Sequence, residues 1–259
     1  MSVDPKHPWD IKPTKKVDPL AGSCTFAGQT LPDELPADPM PLFREWLQMA
    51  ADQGVLPNPN AMSLATVNAD GQPSARIVLA RRFYPDKGCL VFFTNYDSHK
   101  GSDLEQNPKV AACFHWDTLD RQVRIEGIVT KSPDSESVEY FNQRPLMSRV
   151  AAWASTQSAP IASRQQLLAQ NDAVEKRFNV VGGDEAVAKL TPEQIKQFTV
   201  PRPPHWGGFR LWVARIELWL GHSTRLHDRA RWQRTLTPAT IDNVPGYTPG
   251  AWSVTRLQP

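Results

Sequence analysis

AMSLATVNADGQPSARIVLARRFYPDKGCLVFFTN, residues 61–95, decides the fold. It holds three short runs of strand composition, Ala61–Val67, 75–81 and 89–94, in which Val, Ile, Leu, Phe and Thr recur. Asn68-Ala69-Asp70-Gly71 separates the first two, and Asp86-Lys87-Gly88 precedes the third. Both are turn sequences, because Asn and Asp bond their own backbone and Gly accepts the left-handed conformation of a tight turn. Neither gap can hold the crossover that a parallel pair needs. The expectation is an antiparallel meander or barrel, not a parallel nucleotide-binding sheet.

Working outward, Lys109–Trp116 and 121–130 bring the run to about five strands. Upstream, 39–53 (PMPLFREWLQMAADQ) is a helix, with Leu42, Phe43, Trp46, Leu47 and Ala50 at helical spacing, Asp38 as N-cap and Pro39 in the first position. Downstream, helices are expected at 134–142, started by Pro133 and Asp134, at 163–178, capped by Ser163, and at 186–198, with Thr191, Pro192 and Glu193 as start signals. Strands return at 209–219, 229–235 and 252–257. The fold class is therefore mainly β with flanking helices, α+β. Residues 31–259 form one domain with a helical insertion at about 134–198. Residues 1–30 mix Pro, Lys, Asp and Gly without period and read as a mobile arm.

Composition narrows the function. The 259 residues carry a formal charge of only +2, so no global field recruits nucleic acid. Cys24, Cys89 and Cys113 are three, far apart and without a CxxC pair, which fits reduced thiols of the cytoplasm rather than a disulfide framework or zinc site. The N-terminus has no apolar secretory core, and no run of about 20 apolar residues spans a membrane. No Gly-rich phosphate loop, HExxH or GxSxG occurs, and His222 and His227 lack a carboxylate in a helical frame, so no metal site is expected.

What remains is a scatter of polar residues in apolar strands. In Arg225-Leu226-His227-Asp228-Arg229, an extended chain would place Arg225, His227 and Arg229 on one side, an arrangement suited to a phosphate. Asp228 interrupts the charge and no stacking platform accompanies it, which argues against nucleic acid. Arg76 opens RIVLAR and Arg81 closes it; Phe93-Thr94-Asn95 ends the next strand just before Ser98-His99-Lys100, and Gln122 sits within the fifth. Singly, each reads as a strand end or surface residue. Together they describe a barrel rim able to hold a phosphorylated cofactor. Tyr140, Arg144 and Ser148 are four apart, but Pro145 ends the helix at Arg144 and leaves Ser148 in a loop. WASTQS (153–158) is a small-polar run suited to an acceptor-rich ligand.

LPADP (35–39), RIVLAR (76–81), FFTN (92–95), RQVRIEG (121–127), YFNQRP (140–145), WASTQS (153–158), WGGFR (206–210), ELWLG (217–221), RLHDR (225–229) and RLQP (256–259) occur in this order. Together they resemble the pyridoxamine 5′-phosphate oxidase family over about residues 35–259. The resemblance implies an FMN-binding split β-barrel, a homodimer with FMN at the interface, and oxidation of pyridoxine 5′-phosphate or pyridoxamine 5′-phosphate to pyridoxal 5′-phosphate, with O2 as acceptor and H2O2 released. It implies FMN contacts from Arg76, Ile77, Val78, Leu79, Phe93, Thr94, His99, Lys100, Gln122, Gln157, Ser158, Trp219 and Arg229. It implies substrate contacts from Arg81, Tyr140, Arg144 and Ser148 around the phosphate, with Arg225 and His227 as catalytic residues over the ring.

The chain departs from the family pattern in several places. Arg81 stands where Lys is usual, His99 where Arg is usual, and Leu146 and Met147 where polar residues are common. Residues 179–200 and 236–250 are longer than in many relatives, and the Arg and Tyr expected near residues 20–30 are lacking, with only Phe26 close by. Two other readings therefore stay open: a same-fold flavin oxidase acting on another ring, such as a phenazine precursor, and a non-catalytic FMN-binding protein.

Overall fold

The computed structural model describes residues 29–259, apart from Val55, Val181 and Ser223. Nearly all of the expected mobile arm, with Cys24 and Phe26, lies outside the described residues.

Strands β1 (Ala61–Val67) and β2 (Pro73–Leu79) form the expected hairpin, with Ala61 opposite Leu79 and Val67 opposite Pro73. Asn68 builds the turn: its Oδ1 accepts from the N–H of Asp70 at 3.0 Å and of Gln72 at 2.9 Å. The second strand stops at Leu79, two residues early. There the chain changes partners: the Ala80 N–H bonds Asn60 O, and the Arg81 N–H bonds Val91 O. It then continues as the short β3 (Arg82–Tyr84), paired with β4 (Cys89–Asn95). Helix α1 (Met40–Gln53) precedes them; its N-cap is Pro39 rather than the expected Asp38, whose carboxylate still accepts from the Met40 N–H at 3.0 Å.

After β4 comes an unexpected helix, α2 (His99–Gln106), followed by β5 (Lys109–Trp116) and β6 (Arg121–Lys131). The helical region holds α3 (Asp134–Gln143), α4 (Leu146–Ala154), α5 (Arg164–Arg177), α6 (Gly183–Val187) and α7 (Pro192–Ile195). The expected loop at Ser148 is in fact the first turn of α4. Pro145 forces Arg144 extended, at ψ 148°, and then serves as the start of the next helix. The expected helix at 186–198 is two short ones. Thr191 precedes a proline and is extended, then caps α7 in a box closed by Gln194 rather than Glu193. Leu146 is buried in a satellite core with Val150, Val180 and Val200, which accounts for an apolar residue there.

The chain ends in β7 (Trp206–Leu220), β8 (Asp228–Gln233), β9 (Leu236–Ile241), β10 (Val244–Pro249) and β11 (Ser253–Leu257). The β9–β10 hairpin replaces the expected turn region; its tip, Asp242-Asn243, takes φ of 53° and 64°, the geometry of a two-residue hairpin. The main sheet runs β11-β8-β7-β6-β5-β1-β2. Strand β7 is the hub. One edge ladders with β6 along its length, while the other serves β4 at Trp206–Trp212 and β8 at Arg215–Leu220. The sheet therefore divides along β7 and curls into a half-barrel. Opposite the division the β6 ladder is bulged between Glu126 and Gly127, where a Cβ on Gly127 would meet the Trp212 carbonyl at 2.0 Å.

Alternating residues of the strands fill the inside, and α1 closes it. Phe43 packs against Phe83 at 5.6 Å and Phe114 at 5.3 Å between ring centroids. Buried Trp residues satisfy their indole N–H groups: Trp116 donates to Pro59 O, Trp212 to Thr130 Oγ1 and Trp232 to Pro36 O.

Candidate functional site

A cavity of about 360 Å³ opens at the seam where β2 and β4 face each other without a shared ladder. Ile77, Val78, Leu79 and Arg81 form the β2 side, and Phe93, Thr94, Asn95 and Lys100 the β4 side. Helix α3 and its end supply Tyr140 and Arg144, and α4 with the following loop supplies Ala151, Ala152, Ser155 and Gln157. Trp206 completes the lining. Ten of the residues expected from sequence thus converge. Asn95, Ser155 and Trp206 enter the sequence reading only as parts of FFTN, WASTQS and WGGFR, and Ala151 and Ala152 carry no signal there.

Lys100 is the polar centre of one end. Its Nζ donates to Thr94 Oγ1 at 2.9 Å, Ser98 Oγ at 3.1 Å and Gln157 Oε1 at 2.8 Å. All three partners are neutral, and among the described residues no carboxylate pairs with it. Burial, and then the nearby Arg76 guanidinium, push the ammonium down to about 8. The tight turn into α2 makes this placement possible: Ser98 caps the helix, and a Cβ on Gly101 would meet the Tyr96 carbonyl at 1.9 Å. Arg76 does not line the cavity. It donates to Thr66 Oγ1 at 2.6 Å and lies 3.6 Å from the buried Asp103, which His99 also approaches at 3.7 Å.

The other end is a pair of guanidiniums. Arg144 lies over the rings of Trp206, at 4.7 Å, and Phe141, at 5.6 Å. Its Nη1 is buried and has no hydrogen-bond partner among the described residues, an orphaned donor beside a cavity. Burial lowers its pKa and the neighbouring Arg81 lowers it further. Tyr140 stacks on Phe93 at 4.0 Å and 14°, and Trp206 lies within 9° of both rings. Ser148, on α4, and Ser158, at φ 74°, do not reach the lining.

A second group lies elsewhere. Gln122, Trp219 and Arg229 occupy one row across β6, β7 and β8. Their neighbours Val123, Leu218 and Ala230 are fully buried, so the row faces out of the barrel. In the sheet order its strands stand three (β6), four (β7) and five (β8) ladders from β2, roughly 14 to 24 Å along the sheet at the usual strand spacing. The expected extended run at 225–229 is corrected here, because β8 begins only at Asp228. Arg225 takes φ 66° and its N–H bonds His222 O, closing a turn. His227 packs on Trp219 with ring centroids 4.6 Å apart, and its Nδ1 accepts from the His222 N–H. That bond puts the proton of the neutral imidazole on Nε2. Arg229 is neutralised by Glu217, donating through Nε at 3.0 Å and NH2 at 2.8 Å. Asp228 accepts from the Leu31 N–H and pairs with Arg256, a tie between the two ends of the described chain.

Two family models cover most of the chain. The one described as pyridoxamine 5′-phosphate oxidase matches residues 49–199, and the one described as the pyridoxine 5′-phosphate oxidase C-terminal dimerisation region matches residues 206–259. The chain belongs to the pyridoxamine 5′-phosphate oxidase family. It is 45% identical over 232 residues to the pyridoxine/pyridoxamine 5′-phosphate oxidase of Bordetella pertussis, covering 90% of this chain and 94% of that one. The protein of that name from Burkholderia orbicola is 46% identical over 222 residues, covering 86% and 89%. Among solved structures, PhzG from Burkholderia lata in complex with tetrahydrophenazine-1-carboxylic acid superposes with a TM-score of 0.71 at 27% identity, covering 92% of this chain and all of that one. An FMN-binding protein of Nostoc punctiforme shares the fold at a TM-score of 0.59 and 17% identity, covering 87% and 100%. Both neighbours bear out the split-barrel fold. The oxidase family makes the chain an oxidoreductase by class. Among the described residues no helix is long and apolar enough to cross a membrane, and no group of three or more His, Cys, Asp or Glu could hold a metal.

Proposed function

We propose that this chain is a cytoplasmic FMN-dependent oxidase that converts pyridoxine 5′-phosphate and pyridoxamine 5′-phosphate to pyridoxal 5′-phosphate, with 31–259 acting as one unit. The observation that carries the reading is the presence of two separate cationic groups, Lys100 and Arg81 with Arg144, along one cavity. A flavin mononucleotide and a phosphorylated pyridine each bring a dianion, and each needs charge-assisted donors. The residues fit FMN: Lys100 is desolvated and has no carboxylate partner among the described residues, and Thr94, Gln157 and Ile77–Leu79 line the same cavity. Lys100 with Arg76 and His99 would hold the FMN phosphate. Arg81, Arg144 and Tyr140 would hold the phosphate of the substrate. FMN held there would supply the two-electron acceptor, with O2 as the final oxidant and H2O2 as by-product.

The protein's own task is to bind and orient. The Arg144 guanidinium is held flat by its aromatic bed, so its free donors can meet phosphate oxygens without reorganisation. The Gln122–Trp219–Arg229 row, with Arg225 and His227, lies too far around the barrel to touch the same ligand within one chain. We place it, with Ser158, at the flavin and substrate of a second copy in a homodimer. The match of 206–259 to a dimerisation region supports this. Arg225 and His227 would then cover the ring and exclude water.

The likeness to PhzG favours one other reading, oxidation of a reduced phenazine ring. Peroxide release decides between them. FMN-loaded protein should release peroxide with both phosphorylated vitamers. Peroxide only with a reduced phenazine carboxylic acid would overturn the proposal in favour of the other ring, and bound flavin that no substrate bleaches would make the chain a flavin binder.

Lys100 also sets a pH dependence. Its value of about 8 in the protein alone lies below the ordinary 10.5, and a phosphate dianion stabilises the protonated form. FMN affinity is therefore level below pH 8 and falls by up to about tenfold per unit above it. The apoprotein moves the other way. Between about 8 and 10.5 the unfolded chain binds more protons at this site, so stability rises with pH across that window. Flavin titrations and urea midpoints at pH 7 and 9.5 read both signs; an affinity that does not change removes Lys100 from the phosphate.

A further inference from the structure

Helix α3 carries Tyr140 and leads to Arg144, and a buried chain of charges fastens it to the barrel. Arg82 of β3, Val91 of β4 and Arg210 of β7 lie in one row across three strands. Glu136 of α3 bridges that row: its carboxylate accepts from Arg210 Nε at 3.0 Å and lies 3.9 Å from Arg82 NH1. Glu139 approaches Arg82 NH2 at 3.3 Å from the next turn. Arg210 NH1 continues to Asp242, at 2.7 Å, in the tip of the β9–β10 hairpin, where Lys87 also bonds at 2.5 Å.

The side chains of Arg82, Arg210 and Glu136 are 5%, 3% and 5% exposed, so two guanidiniums meet one carboxylate out of water, and Arg82 has the more exposed Glu139 as its nearer partner. A buried cation needs its own partner. Asp242 supplies it for Arg210 from outside the barrel. If Asp242 were neutral, Arg210 would draw on Glu136 alone among the carboxylates of the described residues, while Arg82 keeps Glu139. Arg82 follows Arg81 directly, and Glu136 stands one helical turn before Tyr140. The ionic chain thus links the barrel side of the cavity to its α3 side, although none of Glu136, Arg210 and Asp242 lines it.

We propose that the β9–β10 hairpin is a clamp: through Asp242, Arg210 and Glu136 it sets the separation between Arg81 and the Tyr140–Arg144 end of α3, and so the grip on the substrate's phosphate. Glu136, Arg210 and Asp242 are positioning residues, and the clamp rests on the assignment of Arg81 and Arg144 above.

The test uses FMN-loaded Asp242→Asn, which keeps the shape of a half-exposed side chain, with Asp242→Glu as the conservative variant. Calorimetric titration with inorganic phosphate and steady-state kinetics with pyridoxamine 5′-phosphate are the two readouts. Asp242→Asn should weaken phosphate and raise KM about tenfold, as expected for a displaced binding group, with kcat and flavin content unchanged; Asp242→Glu should restore both. Wild-type phosphate affinity in Asp242→Asn would overturn the clamp, even with a lowered melting temperature, because it would reduce the hairpin to a structural brace. A wild type that binds phosphate but turns over neither vitamer sinks the proposed reaction, and the phosphate titrations then decide the clamp alone. A wild type that binds no phosphate sinks both.

Discussion

Arg144→Ala should raise KM for pyridoxamine 5′-phosphate by two to three orders of magnitude while FMN stays bound. The guanidinium lies over Trp206 and Phe141, its Nη1 has no hydrogen-bond partner among the described residues, and Arg81 is close enough to depress its pKa. Two like charges held together with spare donors are unfavourable until an anion joins them, so the dianion relieves repulsion as well as gaining bonds. Removing one partner of a buried charged contact costs about 2–5 kcal/mol, a factor of roughly 30 to several thousand. Arg144→Lys should fall between, because it keeps the charge but loses the planar stack. Steady-state kinetics and the flavin absorbance of the purified variant decide the matter: a colourless Arg144→Ala protein would put this arginine on the flavin.

Lys100→Met should do the opposite. FMN affinity should fall about a hundredfold, roughly 2.7 kcal/mol, and the protein should purify largely colourless. Its apo form, however, should resist urea better than the wild-type apoprotein. In the protein alone Lys100 is a desolvated cation held by Thr94, Ser98 and Gln157, with no carboxylate partner among the described residues. Methionine fills similar volume without that charge. Loss of flavin together with loss of stability would mean that Lys100 holds the 94–101 turn together rather than a ligand.

Much of this architecture was legible because apolar alternation is strong where a strand has one wet face. Ala61–Val67 and Lys109–Trp116 match their strands residue for residue. Elements whose cause is tertiary were not legible. Helix α2, HKGSDLEQ, has Leu104 as its one large apolar residue, and its start depends on the Ser98 cap. The β9–β10 hairpin hides behind Pro238, Pro245 and Pro249, which a two-stranded ribbon tolerates because its strands have free edges. Arg225 stands in a left-handed turn without a glycine to announce it. At the candidate site, motif order supplied a set of expected residues, but not that they divide between a seam and a remote outward row. Trp206 left one faint signal: an aromatic residue directly before the Gly207-Gly208 pair, which lets α3 approach β7, with Ser137 Oγ accepting from the Gly208 N–H.

Lys131, the last residue of β6, stands opposite Phe209, near the start of β7. The two strands are thus an antiparallel hairpin, and everything from α3 to α7 is its overgrown loop. The entropy of closing a loop rises only with the logarithm of its length. Residues inserted or lost there therefore cost the barrel little, and the register of β6 on β7 does not notice them. Tyr140, Arg144 and Gln157 all ride on that loop. On the proposed assignments the barrel supplies most of the flavin's seat, while Tyr140 and Arg144, which would meet the substrate, belong to the most replaceable part of the chain. One scaffold can in this way exchange a vitamin for a different ring by redrawing a single connection.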